Sequence, residues 1–382
     1  MNDYTFKIPQ DVVFGLGSLR RLPELLGQNG SKHVFLISDR GLESIGVVKR
    51  VRDIIEADGI EVTAYLDVKP NPTVAIVEEA AALYESCGAS GIVSLGGGSP
   101  MDVGKAVGVL ARFGGRITDY EGVNKVPGRV VPTIAIPTTA GTGSEATASA
   151  VITDVERSYK FSIVSYEMLP TCALLDPELI MTAPAGVAAA CGVDALIHAM
   201  EAYVSRNASP FTDAMAEKAM QLIGSNLRRF VACRADPEAA SAMMAGSNFA
   251  GMSFAWARLG NVHAMSHPVS AYFGVAHGVA NAVLLPTIVE YNALADHGRY
   301  ETIYNLIREG RGTVTDFRPG MLVEEIKKLN ADLGIPEGLA AVGVTEDKFE
   351  AMAADAMKSP NVAANPRATN ERGFVELYRK AM

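Results

Sequence analysis

The chain is poor in cysteine and histidine, and it contains neither a long apolar run nor a cluster of basic residues. Its four cysteines, Cys87, Cys172, Cys191 and Cys233, are widely spaced and form no C-x-x-C pair. This spacing argues against a disulfide framework and favours buried thiols in a reducing compartment. Without a long, clean apolar run we expect no membrane span, and without a basic cluster we expect no nucleic-acid partner.

The remaining composition is typical of a large globular enzyme. At 382 residues the chain exceeds the usual size of one hydrophobic core, so we expect two domains. A net charge of -9 favours solubility and does not identify a substrate. The start, residues 1–4, lacks a basic segment followed by an apolar core. We therefore expect no signal peptide and a cytoplasmic location.

Short apolar runs alternate with amphipathic segments in the first half of the chain. We predict strands at Val34–Ile37, Ile60–Tyr65, Gly91–Leu95 and Thr133–Ile136, and helices at Val47–Ala57 and Val74–Cys87. This alternation predicts a parallel sheet with helices on its faces.

The second half is dominated by alanine- and methionine-rich segments, which favour helix. We predict helices at Ala185–Val204, Pro210–Phe230, Pro237–Ala257 and Val279–Leu294. The sequence therefore predicts an α/β domain over residues 1–183 and an all-helical domain over residues 184–382.

A triple glycine, Gly96–Gly98, connects the third predicted strand to a helix predicted over Met101–Leu110. Glycines allow a close backbone approach to a ligand, and the N-terminus of a helix favours a diphosphate. A triple glycine can also be only a tight turn, but its place between strand and helix favours phosphate binding. The motif is neither G-x-G-x-x-G nor a Walker A loop, which disfavours a standard Rossmann fingerprint and a kinase loop.

Two further loops follow predicted strands. The loop over residues 137–145 is rich in hydroxyls and backbone donors, which suits a phosphate, a helix cap or both. Asp39 ends the first predicted strand. A carboxylate there can bind ribose hydroxyls or act as an ordinary helix cap, and the residues alone do not separate these roles.

Four of the six histidines lie between His198 and His277, and Asp194 precedes the first by one helical turn. Asp194 and His198, like His263 and His267, are spaced i and i+4 and so share a helix face. A single histidine on an alanine-rich helix is more simply a core residue, but this clustering predicts a metal site. Imidazole and carboxylate suit a divalent ion such as Zn²⁺ or Fe²⁺. Spacing alone does not decide between His267 and His277 as the fourth ligand.

Several separated motifs occur in one order along nearly the whole chain. They are Phe14–Gly17, Pro70–Pro72, Gly96–Pro100 with Asp102 and Lys105, Asp119–Gly122, Pro137–Thr142, Asp194–Leu196 through Glu201–Tyr203, His263–Pro268, His277–Ala282 and Asn365–Arg367. Each is weak alone. Together they resemble the iron-activated (group III) alcohol dehydrogenase family.

The resemblance implies a Rossmann-like N-terminal domain and an all-helical, metal-binding C-terminal domain, an architecture shared with dehydroquinate synthase, with the active site in the cleft between them. It implies that Fe²⁺, or Zn²⁺ or another divalent metal, is held by Asp194, His198, His263 and His277. It makes His267 an unliganded proton-relay residue beside the nicotinamide. It implies NAD(H) as cofactor, and the predicted cofactor-binding residues are Asp39, Asn71, Gly96, Gly97, Gly98, Ser99, Asp102, Thr138, Thr139, Thr142 and Lys160.

The predicted substrate pocket consists of Phe254, Trp256, Arg258 and Asn361, of which the last three depart from residues common in the family. On one helix running unbroken through Gly260, Trp256 would project within about 20° of His263 and Arg258 roughly 40° from Phe254. The indole would restrict the pocket to short chains. Arg258 with Asn361 would favour a polar or anionic tail, although an arginine that only extends into solvent is an alternative.

We therefore expect an NAD-linked, metal-dependent alcohol dehydrogenase or aldehyde reductase for a short-chain primary alcohol, a diol or a small polar aldehyde. Alternatives are polyol oxidation of the glycerol dehydrogenase type and a lyase of the dehydroquinate synthase type. Asp39 predicts NAD over NADP, because its carboxylate would bind the ribose and repel a 2′-phosphate. Arg40 is the opposing residue, since an arginine there can accommodate that phosphate. We also expect a homodimer or larger homo-oligomer.

Overall fold

The computed structural model describes residues 8, 10–157, 159–310 and 314–382. Residues 1–7, which include the start used in the location prediction, lie outside the described residues. The chain separates into two compact units. The sheet unit holds the described residues up to Thr139 together with Gly143–Ile180, and the helical unit holds Ala140–Thr142 and Met181–Met382.

The sheet unit is built on a six-stranded sheet with the order β1-β9-β6-β4-β2-β3, in which every neighbouring pair is parallel. Its strands are β1 (Asp11–Phe14), β2 (His33–Ile37), β3 (Glu61–Tyr65), β4 (Gly91–Gly96), β6 (Thr133–Pro137) and β9 (Cys172–Leu175). The helices of this unit are α1 (Leu22–Gln28), α2 (Arg40–Ser44), α3 (Val47–Glu56), α4 (Val74–Cys87) and α5 (Gly98–Phe113). This arrangement confirms the predicted parallel sheet.

Alternate side chains of each strand point to opposite faces of the sheet, and helices cover both faces. Val34 and Leu36 of β2 pack in a core with α1 and α3. Phe35 and Ile37 pack in a second core with α4 and α5. Burial on both faces explains why these strands are continuous apolar runs.

The carboxyl ends of the central strands lie at one edge of the sheet. Ile37 is paired with Tyr65 and with Ser94, and Gly96 is paired with Pro137. The loops that follow β2, β3, β4 and β6 therefore leave the sheet at the same edge. In parallel α/β sheets this edge is where ligands bind.

A second sheet of three strands, in the order β5-β8-β7, was not predicted. It contains β5 (Gly122–Val123), β7 (Ser149–Asp154) and β8 (Tyr159–Val164), and β7 pairs antiparallel with β8. Lys160, a predicted cofactor residue, lies on β8.

The helical unit is built from α-helices of 9 to 23 residues. Its helices are α6 (Ala185–Val204), α7 (Pro210–Ala232), α8 (Pro237–Ala257), α9 (Asn261–Phe273), α10 (His277–Asn292), α11 (Arg299–Ile307), α12 (Pro319–Asp332), α13 (Phe349–Met357) and α14 (Glu371–Lys380). In the described part of the chain, α6 is the one helix long and apolar enough to cross a membrane, but 78% of that stretch is buried inside the protein. Its apolar character thus fits a core helix.

The prediction of one helix running through Gly260 is wrong. Helix α8 ends at Ala257 and α9 begins at Asn261. Arg258 has φ 68° and ψ 176°, a conformation almost confined to glycine, which turns the chain out of the helix. The angular relations inferred for Trp256 relative to His263 and for Arg258 relative to Phe254 therefore do not hold.

Candidate active site

The triple glycine forms a tight turn between β4 and α5. Gly96 has φ 150°, and a Cβ there would lie 2.6 Å from Pro100 Cγ, so the turn requires glycine. Helix α5 begins at Gly98, directly after Gly97. This start lies three residues before the predicted one at Met101. The first amides of α5, from Gly98 and Ser99, lack intrahelical acceptors and suit a diphosphate.

The loop after β6 lies against this turn. The Thr138 amide donates to the carbonyl oxygen of Gly96 at 3.0 Å. A Cβ on Gly97 would lie 3.5 Å from Thr139 Oγ1. The structure thus brings both threonines to the glycine turn, whereas Thr142 belongs to the helical unit.

Asn71 and Lys160 also lie together. Lys160 Nζ donates to Asn71 Oδ1 at 2.9 Å, and burial lowers the pKa of Lys160. Asn71 has φ 55°, a left-handed conformation that asparagine tolerates better than most residues. The two residues that the resemblance assigns to the cofactor thus form one polar pair.

Asp102 belongs to a buried polar network. Its carboxylate accepts from Ser144 Oγ at 2.9 Å and from the Val151 amide at 3.0 Å. Lys105, only 1% exposed, donates from Nζ to the Ser144 carbonyl at 2.6 Å, to Ser144 Oγ at 2.9 Å, to Thr147 Oγ1 at 3.1 Å and to the Ser149 carbonyl at 2.8 Å. Burial raises the pKa of Asp102 and lowers that of Lys105 to about 8. These bonds anchor α5, and a cofactor contact from Asp102 stays a prediction.

Asp39 caps the N-terminus of α2. Its Oδ1 accepts from the Leu42 amide at 2.9 Å, which is the capping role left open by the sequence. One carboxylate oxygen suffices for this bond, so capping and ribose binding are compatible.

Asp194, His198, His263 and His277 converge in the helical unit. Asp194 and His198 lie on α6, His263 on α9, and His277 at the first position of α10. The ligand atoms of Asp194, His263 and His277 lie within 4.8 Å of one another. From Asp194 Oδ1, the distance to Nε2 is 3.6 Å for His263 and 3.9 Å for both His198 and His277. The ring of His198 stacks on that of His263 with centroids 4.7 Å apart.

The other ring nitrogens of two histidines are held by acceptors. His198 Nδ1 lies 3.2 Å from the Gly141 carbonyl oxygen, and His263 Nδ1 lies 2.7 Å from Glu201 Oε2. Each Nδ1 is therefore assigned the proton, which leaves the Nε2 lone pair directed toward Asp194. This tautomer is the one a metal ligand needs.

The cluster has an excess of negative charge. Burial would raise the pKa of Asp194, but its histidine neighbours outweigh burial and hold that pKa far below its usual range. Burial lowers the pKa of His198 to about 4. Burial would also lower the pKa of His263, but the carboxylates of Asp194 and Glu201 outweigh it and raise that pKa to about 9. The site thus favours positive charge beside His263.

The contacts of the buried Asn281 side-chain amide indicate whether these residues suit a cation. Its Nδ2 lies 2.6 Å from Asp194 Oδ1 and 3.1 Å from the Nε2 atoms of His263 and His277. Three ligand atoms thus direct lone pairs at one electropositive group, while Asn281 Oδ1 has no hydrogen-bond partner. Two imidazoles and one carboxylate directed to a common point, with His198 Nε2 3.9 Å from that carboxylate, fit a divalent ion such as Fe²⁺ or Zn²⁺.

Glu201 is a site residue that the sequence analysis did not single out. It is 5% exposed on α6, and it accepts from His263 Nδ1 and, through Oε1, from the Val262 amide at 2.7 Å. A Cβ on Gly260 would lie 2.9 Å from Glu201 Oε1, so glycine permits this approach. Spacing offered a signal, because Glu201 follows His198 by three residues on an apolar helix.

His267 lies beside the cluster and is exposed. Its ring stacks on that of His277 with centroids 5.2 Å apart and lies 6.3 Å from that of His263. A solvent-exposed imidazole next to a metal-ligand set can exchange protons with water, as a relay requires.

The predicted substrate residues divide into two groups. Phe254 stacks on His198 with ring centroids 4.5 Å apart, so α8 does contribute a side chain to the cluster. Among the described residues, neither Arg258 nor Asn361 forms a hydrogen bond or ion pair with Asp194 or the three histidines. Trp256 is half-buried near the end of α8. Pocket roles for these three residues stay predictions.

Comparison with known proteins agrees with this geometry. Residues 9–177 match the iron-containing alcohol dehydrogenase model, and residues 188–382 match the C-terminal model of the Fe-containing alcohol dehydrogenase family.

Two relatives are each 38% identical: the NAD-dependent methanol dehydrogenase of Bacillus methanolicus, over 99% of both chains, and the 1,3-propanediol dehydrogenase of Klebsiella pneumoniae, over 99% of this chain and 98% of that one. A crystal structure of a 1,3-propanediol oxidoreductase superposes with a TM-score of 0.96 at 37% identity over the full length of both chains. The chain therefore belongs to the iron-containing alcohol dehydrogenase family.

Proposed function

We propose that this protein is a metal-dependent, NAD-linked alcohol dehydrogenase and aldehyde reductase for a short-chain primary alcohol, a diol or a small polar aldehyde. The observation that carries the proposal is the convergence of Asp194 with His263 and His277, whose ligand atoms lie within 4.8 Å of one another. Family membership supports the oxidoreductase class and both cofactors, iron and NAD(H).

The metal would be held by Asp194, His198, His263 and His277. A divalent ion in such a set polarises the oxygen of an alcohol or aldehyde, which makes hydride exchange with nicotinamide possible. Phe254 packs on His198 and excludes water from that side of the ligand ring. His267 carries the proton between the substrate oxygen and solvent, a role supported by its exposure and its contact with His277.

The cofactor would be bound by the sheet unit. The amides of Gly98 and Ser99 suit the diphosphate, and Asp39 would accept hydrogen bonds from the ribose hydroxyls. We therefore propose a dinucleotide-binding domain over residues 1–183, a metal-binding domain over residues 184–382, and a preference for NAD.

The substrate is proposed to be short. The relatives named above act, by their names, on methanol and on 1,3-propanediol. Trp256 would limit chain length, and Arg258 would bind a polar or anionic tail. The strained backbone of Arg258 supports this role, because such strain costs of order 1–3 kcal/mol and concentrates at functional sites.

A homo-oligomer and a cytoplasmic location complete the proposal. Among the described residues, β1 lies at the edge of its sheet, where Val12 and Phe14 are 40% and 46% exposed and Leu16 beyond them is 52% exposed. Exposed apolar residues on an unpaired strand edge favour pairing with a second chain.

The test is reconstitution of the purified protein under anaerobic conditions, separately with Fe²⁺ and with Zn²⁺, followed by a screen of short aldehydes with NADH. Steady NADH oxidation that depends on added metal is the expected result. Metal binding without steady NADH consumption would contradict the proposal and favour a lyase.

A further inference from the structure

Arg40 follows directly after Asp39, and carboxylates surround its guanidinium. Nε and Nη2 donate to the two oxygens of Asp67 at 3.0 and 3.1 Å, and Nη1 donates to Glu43 Oε2 at 2.9 Å. All three guanidinium nitrogens are thus engaged. The planar pair of donors that would bind a phosphate is directed at Asp67 instead.

These residues lie where a nucleotide ribose is expected. Asp39 and Asp67 form an isolated backbone bridge just beyond the paired ends of β2 and β3. Strand β2 also pairs with β4, which leads into the glycine turn. A dinucleotide with its diphosphate at that turn extends its adenosine ribose toward the end of the neighbouring strand.

Space for a ligand group exists beside this ion pair. An open cleft of about 620 Å³ is lined by Arg40, Tyr65 and Asp67 together with residues of α3 and α4. Its volume lies within the range of small-molecule sites. A phosphate on the ribose could therefore approach Arg40 without a steric barrier from this side.

We propose that Asp67 is a specificity-determining residue, which restricts the enzyme to NAD(H) by holding Arg40 in an ion pair and away from a 2′-phosphate. The inference rests on the proposed function. Asp39 repels the extra phosphate directly, and Asp67, with Glu43, neutralises the neighbouring cation that would otherwise attract it. Rejection of NADP(H) thus depends on a second carboxylate that need not touch the cofactor.

The size of the effect follows from exposure. Arg40 is 61% and Asp67 54% exposed, and pairs this exposed are weak. Loss of Asp67 should therefore raise affinity for NADPH by about 2- to 5-fold. The gain should be largest after Asp39→Gly, because the Asp39 carboxylate then no longer repels the phosphate.

The experiment measures dissociation constants of NADH and NADPH by calorimetry on the full chain, without substrate. The variants are Asp39→Gly, Asp39→Gly with Asp67→Ala, and the same pair with Arg40→Gln. Adding Asp67→Ala should tighten NADPH but not NADH, and Arg40→Gln should abolish that gain. Asp53→Ala in the Asp39→Gly background is the matched control, because it removes an exposed carboxylate paired with Lys49 on α3.

Two results would overturn the inference alone: an unchanged NADPH dissociation constant on adding Asp67→Ala with NADH binding intact, or an equal gain from Asp53→Ala. Failure of the wild-type protein to bind either dinucleotide would overturn the proposed function, and this inference with it.

Discussion

Glu201→Gln is expected to weaken divalent-metal binding by about 10- to 100-fold, the usual effect of losing a residue that orients a metal ligand. This loss corresponds to about 1.4–2.7 kcal/mol of binding free energy. Glu201 receives hydrogen bonds from both His263 Nδ1 and the Val262 amide at 2.7 Å, so two donors meet one carboxylate.

A glutamine cannot satisfy both donors. If its carbonyl oxygen faces Val262, its NH₂ group faces His263 Nδ1 and selects the tautomer protonated at Nε2, which has no lone pair for a metal. If the oxygen faces His263, the NH₂ group opposes the Val262 amide at the start of α9 and leaves that buried donor unpaired. The second arrangement costs about 1–3 kcal/mol.

Metal affinity would be measured by competition with a chromophoric chelator, using Zn²⁺ and the full chain. Asp213→Asn is the matched control, since it also converts an acid to an amide in the helical unit and breaks its pair with Arg299, outside the cluster. Circular dichroism would establish that both variants fold. A Glu201→Gln affinity within twofold of the wild type, with Asp213→Asn unchanged, would refute the orienting role.

Further predictions concern the metal, the proton, the buried network and the substrate. His263→Ala should lose bound metal and turnover together, which metal analysis and an NADH assay would show; full metal retention would contradict its role. His267→Ala should keep its metal and lower kcat by about 10²-fold or more. Lys105→Met should lower the free energy of unfolding by about 3–5 kcal/mol in urea titrations, because it removes the hydrogen bonds that Nζ donates and leaves the Asp102 carboxylate without its cationic neighbour. Arg258→Ala should lower kcat/KM for anionic aldehydes at least tenfold more than for neutral ones; an unchanged preference would remove Arg258 from the pocket.

Sequence predicted those features that depend on local pattern. The central strands are continuous apolar runs, and β2 was predicted to within one residue of its observed bounds, His33–Ile37. Helix α6 has the predicted bounds and α8 the predicted start, because proline at or before the first turn marks where each helix begins. The i and i+4 spacing indicated a metal site near Asp194, His198 and His263, but it did not select His277 over His267.

Features that depend on distant contacts were not predictable in this way. The start of α9 is fixed by a bond from the Val262 amide to Glu201, 61 residues away in sequence. No periodicity within residues 254–263 reveals that contact, so the helix was predicted to continue. Strands β7 and β8, which were not predicted, depend on pairing with each other.

The interruption between α8 and α9 has a consequence for how this enzyme can diversify. In a continuous helix, each inserted or deleted residue would rotate every following side chain by about 100°. Here the irregular residues from Arg258 to Gly260 can absorb such a change before it reaches His263. Substitutions in α8 can therefore change which substrate the enzyme accepts, while the geometry of the metal ligand on α9 stays the same. Selection for a different alcohol is then separated from selection for metal retention.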